Sequence, residues 1–211
     1  MYRTAIPFLI IFFAVSCVSI APVANPGSDI KPDTVIIVGR VSFQPEPEQK
    51  LASACIGCGN LKRKAFVTLH PDKNMMLSDD LVQVSTGESL LKAKPLIEAK
   101  WGEPFIAEIP RKPIYLKGLM VNLIATGYRS QYLMIRTNTL IDIKETDQIV
   151  YIGDIEFSFN KKYNYDMTVT DGSSGIQPLL KEWTQKKIPI QKRLVDRNAP
   201  VETFFGMLVS N

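Results

Sequence analysis

The chain has 211 residues, 45% of them hydrophobic and 22% charged, with a formal net charge of +4. So mild a positive excess argues against a nucleic-acid binder, which needs a clustered basic face. Beyond an N-terminal segment of separate character, about 180 residues remain, enough for one domain that buries a full core without covalent staples.

Arg3 precedes an apolar run from Ala5 to Val15, interrupted only by Pro7, and small residues then lead to Cys17. A charged head, a short apolar middle and a small-residue exit make residues 1–16 a predicted secretory signal peptide. The run is too short to cross a bilayer, which takes roughly 20 apolar residues. Ala14-Val15-Ser16-Cys17 resembles the lipobox of bacterial lipoproteins, in which the thiol receives a diacylglyceryl group before cleavage. The resemblance implies lipidation of Cys17 and a mature chain of charge +3, since Arg3 is lost with the leader. It also implies stable anchoring, because such proteins carry two or three acyl chains and one alone holds only marginally. Val18 stands where an aspartate would favour the inner membrane, so the expected address is the outer membrane of a bacterial envelope. An ordinary signal cleaved after Ser16 or Ala21 is the alternative.

Residues 17–33, with Pro22, Pro26, Gly27, Ser28 and Pro32, read as a tether. Proline-rich polar stretches form extended spacers, and this one would reach ~50 Å when stretched. The domain itself is predicted over 34–211.

From there the dominant period is two. Thr34 to Phe43 places Ile37, Gly39, Val41 and Phe43 on one face, with Ile36, Val38, Arg40 and Ser42 on the other. Ala65 to His70 and Leu81 to Ser85 continue the pattern. Glu88 to Lys100 is ambiguous, since Pro95 breaks any single helix through it. Phe105 to Ile109 ends at Pro110, which suits an edge. Ile114 to Thr126 is the longest apolar run, one buried strand or two joined at Gly118. Gln131 to Ile143 follows, with a bend expected near Asn138. In Gln148 to Phe159, Tyr151, Gly153, Ile155, Phe157 and Phe159 are predicted to point one way, Asp154, Glu156 and Ser158 the other. A hairpin at Asn160-Lys161-Lys162 leads to Tyr163 to Thr170. A helix is predicted through Pro178 to Lys187, capped by Ser173 or Ser174, with Ile176, Leu179, Leu180 and Trp183 at helical spacing. Phe204 to Val209 is an apolar tail, read as a closing strand in preference to a partner-docking segment.

Many short strands with frequent turns and no helical crossovers between them predict a mainly β fold, an antiparallel β-sandwich with one C-terminal helix. Phe105-Ile106-Ala107-Glu108-Ile109-Pro110, Ile114-Tyr115-Leu116 and Ile149-Val150-Tyr151-Ile152-Gly153-Asp154-Ile155 resemble the strand edges of small bacterial lipoproteins with a transthyretin-like or carboxypeptidase-regulatory-like sandwich. The resemblance covers Val35 to Val169 and implies that fold, with no active-site residues to carry over.

Cys55 and Cys58 are the sharpest chemical feature. In an oxidising compartment the expected state is a small structural disulfide that stiffens a turn. A redox pair needs its first thiol at a helix N-terminus, and zinc needs two further ligands; both are kept as alternatives. His70, Met75 and Met76 belong to the soft set that copper(I) prefers. The preferred reading places His70 in a strand-ending turn and the methionines in a core gap or loop. No Gly-x-Ser-x-Gly elbow accompanies His70. Asp171 to Gly175 reads as a turn and cap rather than an anion site. Asp154 and Glu156 read as the solvent face of a strand, not a glycosidase pair. The late aromatics are expected mostly on the inward face. The functional expectation is a lipid-anchored binding or structural module without catalysis. Its partners are the membrane, through the lipid, and an envelope protein; no cofactor, metal or nucleic acid is expected. A thiol-redox or soft-metal role for Cys55 and Cys58 is the alternative.

Overall fold

The computed structural model describes residues 30–51, 61–75, 96–126, 129–160, 164–183 and 188–209. Eleven strands and one helix follow in chain order: β1 (Thr34–Gln44), β2 (Lys50–Leu51), β3 (Lys64–His70), β4 (Leu96–Lys100), β5 (Pro104–Pro110), β6 (Ile114–Thr126), β7 (Arg129–Ile141), β8 (Ile149–Phe159), β9 (Tyr165–Thr170), α1 (Ser173–Trp183), β10 (Ile190–Lys192) and β11 (Glu202–Val209). Among the described residues, the mainly β sandwich with one helix is therefore observed. One sheet runs β10-β8-β1-β5, with β9 also on β8; the other runs β11-β7-β6-β3-β4, with β2 also on β6.

The long alternating strands explain the two layers. Ile37, Val41 and Phe43 of β1 and Val150, Ile155 and Phe157 of β8 face inward, against Val67, Leu69, Leu119, Val121, Leu133 and Ile135 of the opposite sheet. The other face of the first sheet is also apolar, and α1 covers it: Ile176 and Leu180 close over Ile36, Val38, Ile149 and Tyr151. The architecture is thus helix on sheet on sheet.

The pairing is mixed where antiparallel pairing was expected throughout. β1 lies parallel to β8, β10 parallel to β8 and β2 parallel to β6, while the remaining pairs are antiparallel. A parallel neighbour requires a long crossover. Among the described residues, the connection from β1 to β8 runs through β5 of the same sheet and through β2, β3, β4, β6 and β7 of the opposite one, which is how a parallel neighbour arises here without a helical crossover between described strands.

The expectation that Tyr151 shares a face with Ile155 and Phe157 is corrected. The β1–β8 register shifts between Val38 and Arg40, so β8 carries a bulge at Gly153, whose φ is +115°. The bulge puts Tyr151 opposite Val38 under the helix and sends Ile152 into the core. The aromatics accordingly divide: Phe157 and Tyr165 are inward, Tyr151 lies under α1, and Phe159 and Phe205 are exposed. The helix cap also differs from expectation, since Asp171 accepts the Ser173 N–H at 3.1 Å and pairs with Lys192 at 2.6 Å. Lys192 and Ser173 pull the Asp171 carboxyl down to about 2. Tail residues 202–209 form β11, paired antiparallel with β7 at the sheet edge, as the closing-strand reading expected. Candidate strand 81–85 lies outside the described residues. Ile30, at the end of the predicted tether, packs against the helix-side cluster.

The C-terminal segment is also clamped by a buried carboxylate. Asp147 is 1% exposed, and both its oxygens accept from Arg193, each at 3.1 Å, while the Lys144 N–H donates at 2.9 Å. Burial pushes the Asp147 carboxyl up, but these hydrogen bonds and the neighbouring cations outweigh it and hold the group below its ordinary value of 3.8. A depressed carboxylate contributes stability that is full above its unfolded pKa and is lost as pH falls through the folded one. Asp147→Asn is expected to cost about 2 kcal/mol at neutral pH. In urea unfolding, its deficit relative to the parent should close as the pH is lowered past that ordinary carboxylate value; a deficit independent of pH would contradict the clamp.

Candidate functional site

Lysine followed by glycine is an unusual interruption in an apolar strand such as β6. The register with β3 shifts between Thr68 and Leu69, leaving Lys117 as an extra residue in a bulge, and on the other side Lys117 stands against two residues of β7, Thr137 and Asn138. Gly118 has φ +131°, and a Cβ there would stand 2.0 Å from the Ile135 carbonyl oxygen, so only glycine fits. Lys117 is 1% exposed. Its ammonium donates to the Lys73 carbonyl and to Asn138 Oδ1, both at 2.8 Å, and lies 5.0 Å from the Tyr115 ring centroid. The Asn138 amide also donates to the Lys73 carbonyl. Burial lowers the Lys117 pKa, an effect partly opposed by the charge of Asp72.

The turn that presents Lys73 is built locally. His70 Nδ1 accepts the Asp72 N–H at 3.0 Å, and Asp72 Oδ1 accepts the Asn74 N–H at 2.8 Å. Met75 then joins Met120 and Phe204 against Tyr132 and Met134. The Arg136 guanidinium stacks 3.7 Å from the Phe204 ring centroid. Between these groups lies a cavity of about 120 Å³, lined by Met75, Lys117, Arg136, Asn138, Pro200 and Glu202 among others. Two cations and one carboxylate thus border a mostly apolar hollow, an arrangement suited to holding a small ligand by one charged group.

A second depression, near Lys62, Arg63, Lys100 and Trp101, is more open. Two of its cations are already engaged, Arg63 with Glu46 and Lys100 with Glu103 at 3.4 Å.

Cys17, Cys55 and Cys58 lie outside the described residues. The ends of the segment carrying the cysteine pair are drawn together by Gln49. Its amide donates to the Leu61 and Asn122 carbonyls at 3.2 and 2.7 Å, and its oxygen accepts the Arg63 N–H at 2.7 Å. His70 sits in the expected strand-ending turn, and Met75 packs in the methionine cluster beside the cavity; Met76 is outside the described residues. Among the described residues, no three His, Cys, Asp or Glu side chains gather to hold a metal ion.

Asp154 is corrected from a solvated surface acid to an anchor. It accepts from Arg40 at 2.9 Å and from the Tyr151 hydroxyl at 2.7 Å, and that hydroxyl accepts the Gly172 N–H at 2.9 Å. Burial, then the Asp154 bond, raises the Tyr151 pKa well above its ordinary 10.0, so the phenol stays protonated as the donor. A Cβ on Gly172 would stand 2.1 Å from Asp154 Oδ2, so the start of α1 rests directly on this acid. Glu156 is exposed and does not face Asp154 across a cleft. Asp171 to Gly175 forms the expected turn at the start of α1, with Asp171 accepting the Ser173 N–H in place of the serine cap that was expected. Lys117, Arg136 and Asn138 went unnoticed; the Lys117-Gly118 interruption was the available signal.

No protein-family model, no curated protein and no solved structure matches this chain.

Gly118→Ala should destabilise the domain by about 3 kcal/mol or more, since the left-handed backbone and the clash with a strand carbonyl add. Denaturant midpoints check this; a loss under 1 kcal/mol would refute the bulge.

Proposed function

We propose that this chain is a lipid-anchored bacterial envelope protein, attached to the outer membrane through Cys17, whose sandwich serves as a binding or supporting module rather than a catalyst. The observation that carries the reading is the leader: Arg3, the apolar run Ala5 to Val15, and small residues ending in Cys17. Among the described residues no helix is long and apolar enough to cross a membrane. The proline-bearing stretch before Ile30 supplies the reach from lipid to domain. The likeness to transthyretin-like lipoprotein sandwiches belongs to the same proposal.

The disposition of buried charge supports a module of this kind. Asp147 clamps the C-terminal segment, and Asp154 seats the helix. These acids hold chain segments together. The cavity beside Lys117 offers a small-ligand pocket, and β11 at a sheet edge offers backbone groups to an added strand. A second reading assigns Cys55 and Cys58 a redox or soft-metal role, which rests on their spacing and on the thiolate chemistry it allows.

Mass spectrometry of the N-terminal peptide from membrane-isolated protein is expected to find Cys17 first and diacylated. Cys17→Ser should abolish the acyl mass and release the chain from membranes. An unmodified Cys17, or a mature chain that begins elsewhere, would overturn the proposal.

A further inference from the structure

We propose that β11 pairs antiparallel with the β11 of a second copy, joining two sandwiches edge to edge as a two-fold dimer. The inference deepens the binding-module reading, on which it rests, by naming the strand that β11 accepts. It is carried by a contrast among the sheet edges.

Edge strands present unpaired N–H and C=O groups, and proteins that stay apart blunt them with short length, proline or charge. The other described edges are blunted in this way. β5 begins at Pro104 and ends at Pro110, and its Glu108 accepts from Thr34 at 2.8 Å and faces Lys31 at 3.5 Å. β4 has five residues and carries Lys100 and Glu98, the latter paired with Lys64. β9 has six residues and carries Asp166, and β10 has three. β11 runs for eight residues, and from Thr203 to Val209 it holds neither a charged side chain nor a proline. Among the described residues its only strand partner is β7.

Exposed aromatic rings lie along the same margin. Phe205 stands opposite Leu133, a core residue, and so lies on the inner side of β11, yet it is 64% exposed. Thr203, on the same side of the strand, accepts the Tyr165 N–H at 3.2 Å. Phe159, 40% exposed, meets the Tyr165 ring edge-on at 5.4 Å between centroids.

Symmetry and area select a second copy as the occupant. A two-fold axis through Phe205, perpendicular to the sheet, keeps the inner sides of both sandwiches together and sets the two Phe205 rings against each other. The same register places Glu202 of each copy beside Leu208 of the other, with the two Glu202 positions ~20 Å apart, beyond the range of screened repulsion. An edge of eight residues is ~27 Å long and, across two layers with their side chains, ~20 Å wide, so two copies bury ~1,000 Å², the lower bound of a specific interface.

Full-length protein with p-benzoylphenylalanine in place of Phe205 would be irradiated in native membranes and its linked peptides sequenced by mass spectrometry. The expected product has doubled mass and joins position 205 to residues 202–209 of a second copy. Sedimentation equilibrium of the detergent-extracted full chain should show a dimer. Phe205→Lys, at an exposed position, should weaken it about tenfold or more without moving the thermal midpoint. Leu140→Lys and Leu194→Lys, at exposed apolar positions elsewhere, should leave it unchanged. A link within one chain, a monomer at every concentration, or equal weakening by Leu140→Lys overturns the proposal. A link to a different protein also overturns it, while leaving the binding-module reading standing, so the two fail separately. If Phe205→Lys fails to fold, the position of the crosslink decides alone.

Discussion

The parallel pairing of β1 with β8 is the constraint on which the rest of the fold depends. These two strands are covered on both faces, by the opposite sheet on one side and by α1 on the other. Each buried Val, Ile or Phe contributes ~1.5–3 kcal/mol relative to exposure, so a pair of strands apolar on both faces outweighs any local preference. β5 and β9 add at its flanks, and β10 with the following Arg193 and Val195 extends it on the far side of β8. The helix has a seat only because Ile36, Val38 and Ile149 present an apolar outer surface.

The bulge at Gly153 lets one strand serve two cores. Without it, Tyr151 would follow Ile155 and Phe157 into the interior, where its hydroxyl would need a partner. With it, the phenol reaches Asp154 and the first turn of the helix, and Ile152 takes the inward position. Gly118 does the same work in the opposite sheet, where the residue displaced from pairing with β3 is a lysine. The two sheets therefore differ on their outer faces for one local reason. The first turns a tyrosine outward and gains a helix. The second accommodates a charge, and a cavity lies beside it.

Legibility followed the strength of the repeating pattern. Thr34 to Phe43, Ala65 to His70, Phe105 to Ile109 and Ile114 to Thr126 could be read as strands because their alternation or apolar length exceeded any competing preference. Strict alternation failed at Gly153, since a bulge shifts every side chain beyond it to the other face. β2 and β10, at two and three residues, are too short to carry a period. Parallel pairing was missed because the crossover runs through strands. The candidate site was the least legible part. Lys117, Asn138 and Arg136 belong to two strands, and the Lys73 carbonyl comes from a turn far away in sequence; no spacing rule brings them together.

The ionisable groups withdrawn from water differ in what balances them. Asp147 and Asp154 each meet a guanidinium, and each bond joins segments distant in sequence, so their desolvation is balanced by order gained in the fold. Lys117 is as deeply buried as Asp147, but its hydrogen bonds go to neutral oxygens and the charge of Asp72 acts on it without a direct bond. A methionine in its place would fill similar volume without a charge to desolvate, and Met75, Met120 and Met134 show that this face of the sheet readily takes that residue. Packing therefore does not call for a lysine at this bulge. What a lysine adds is a positive charge at the wall of a hollow, and the glycine beside it supplies the positive φ that the bulge requires.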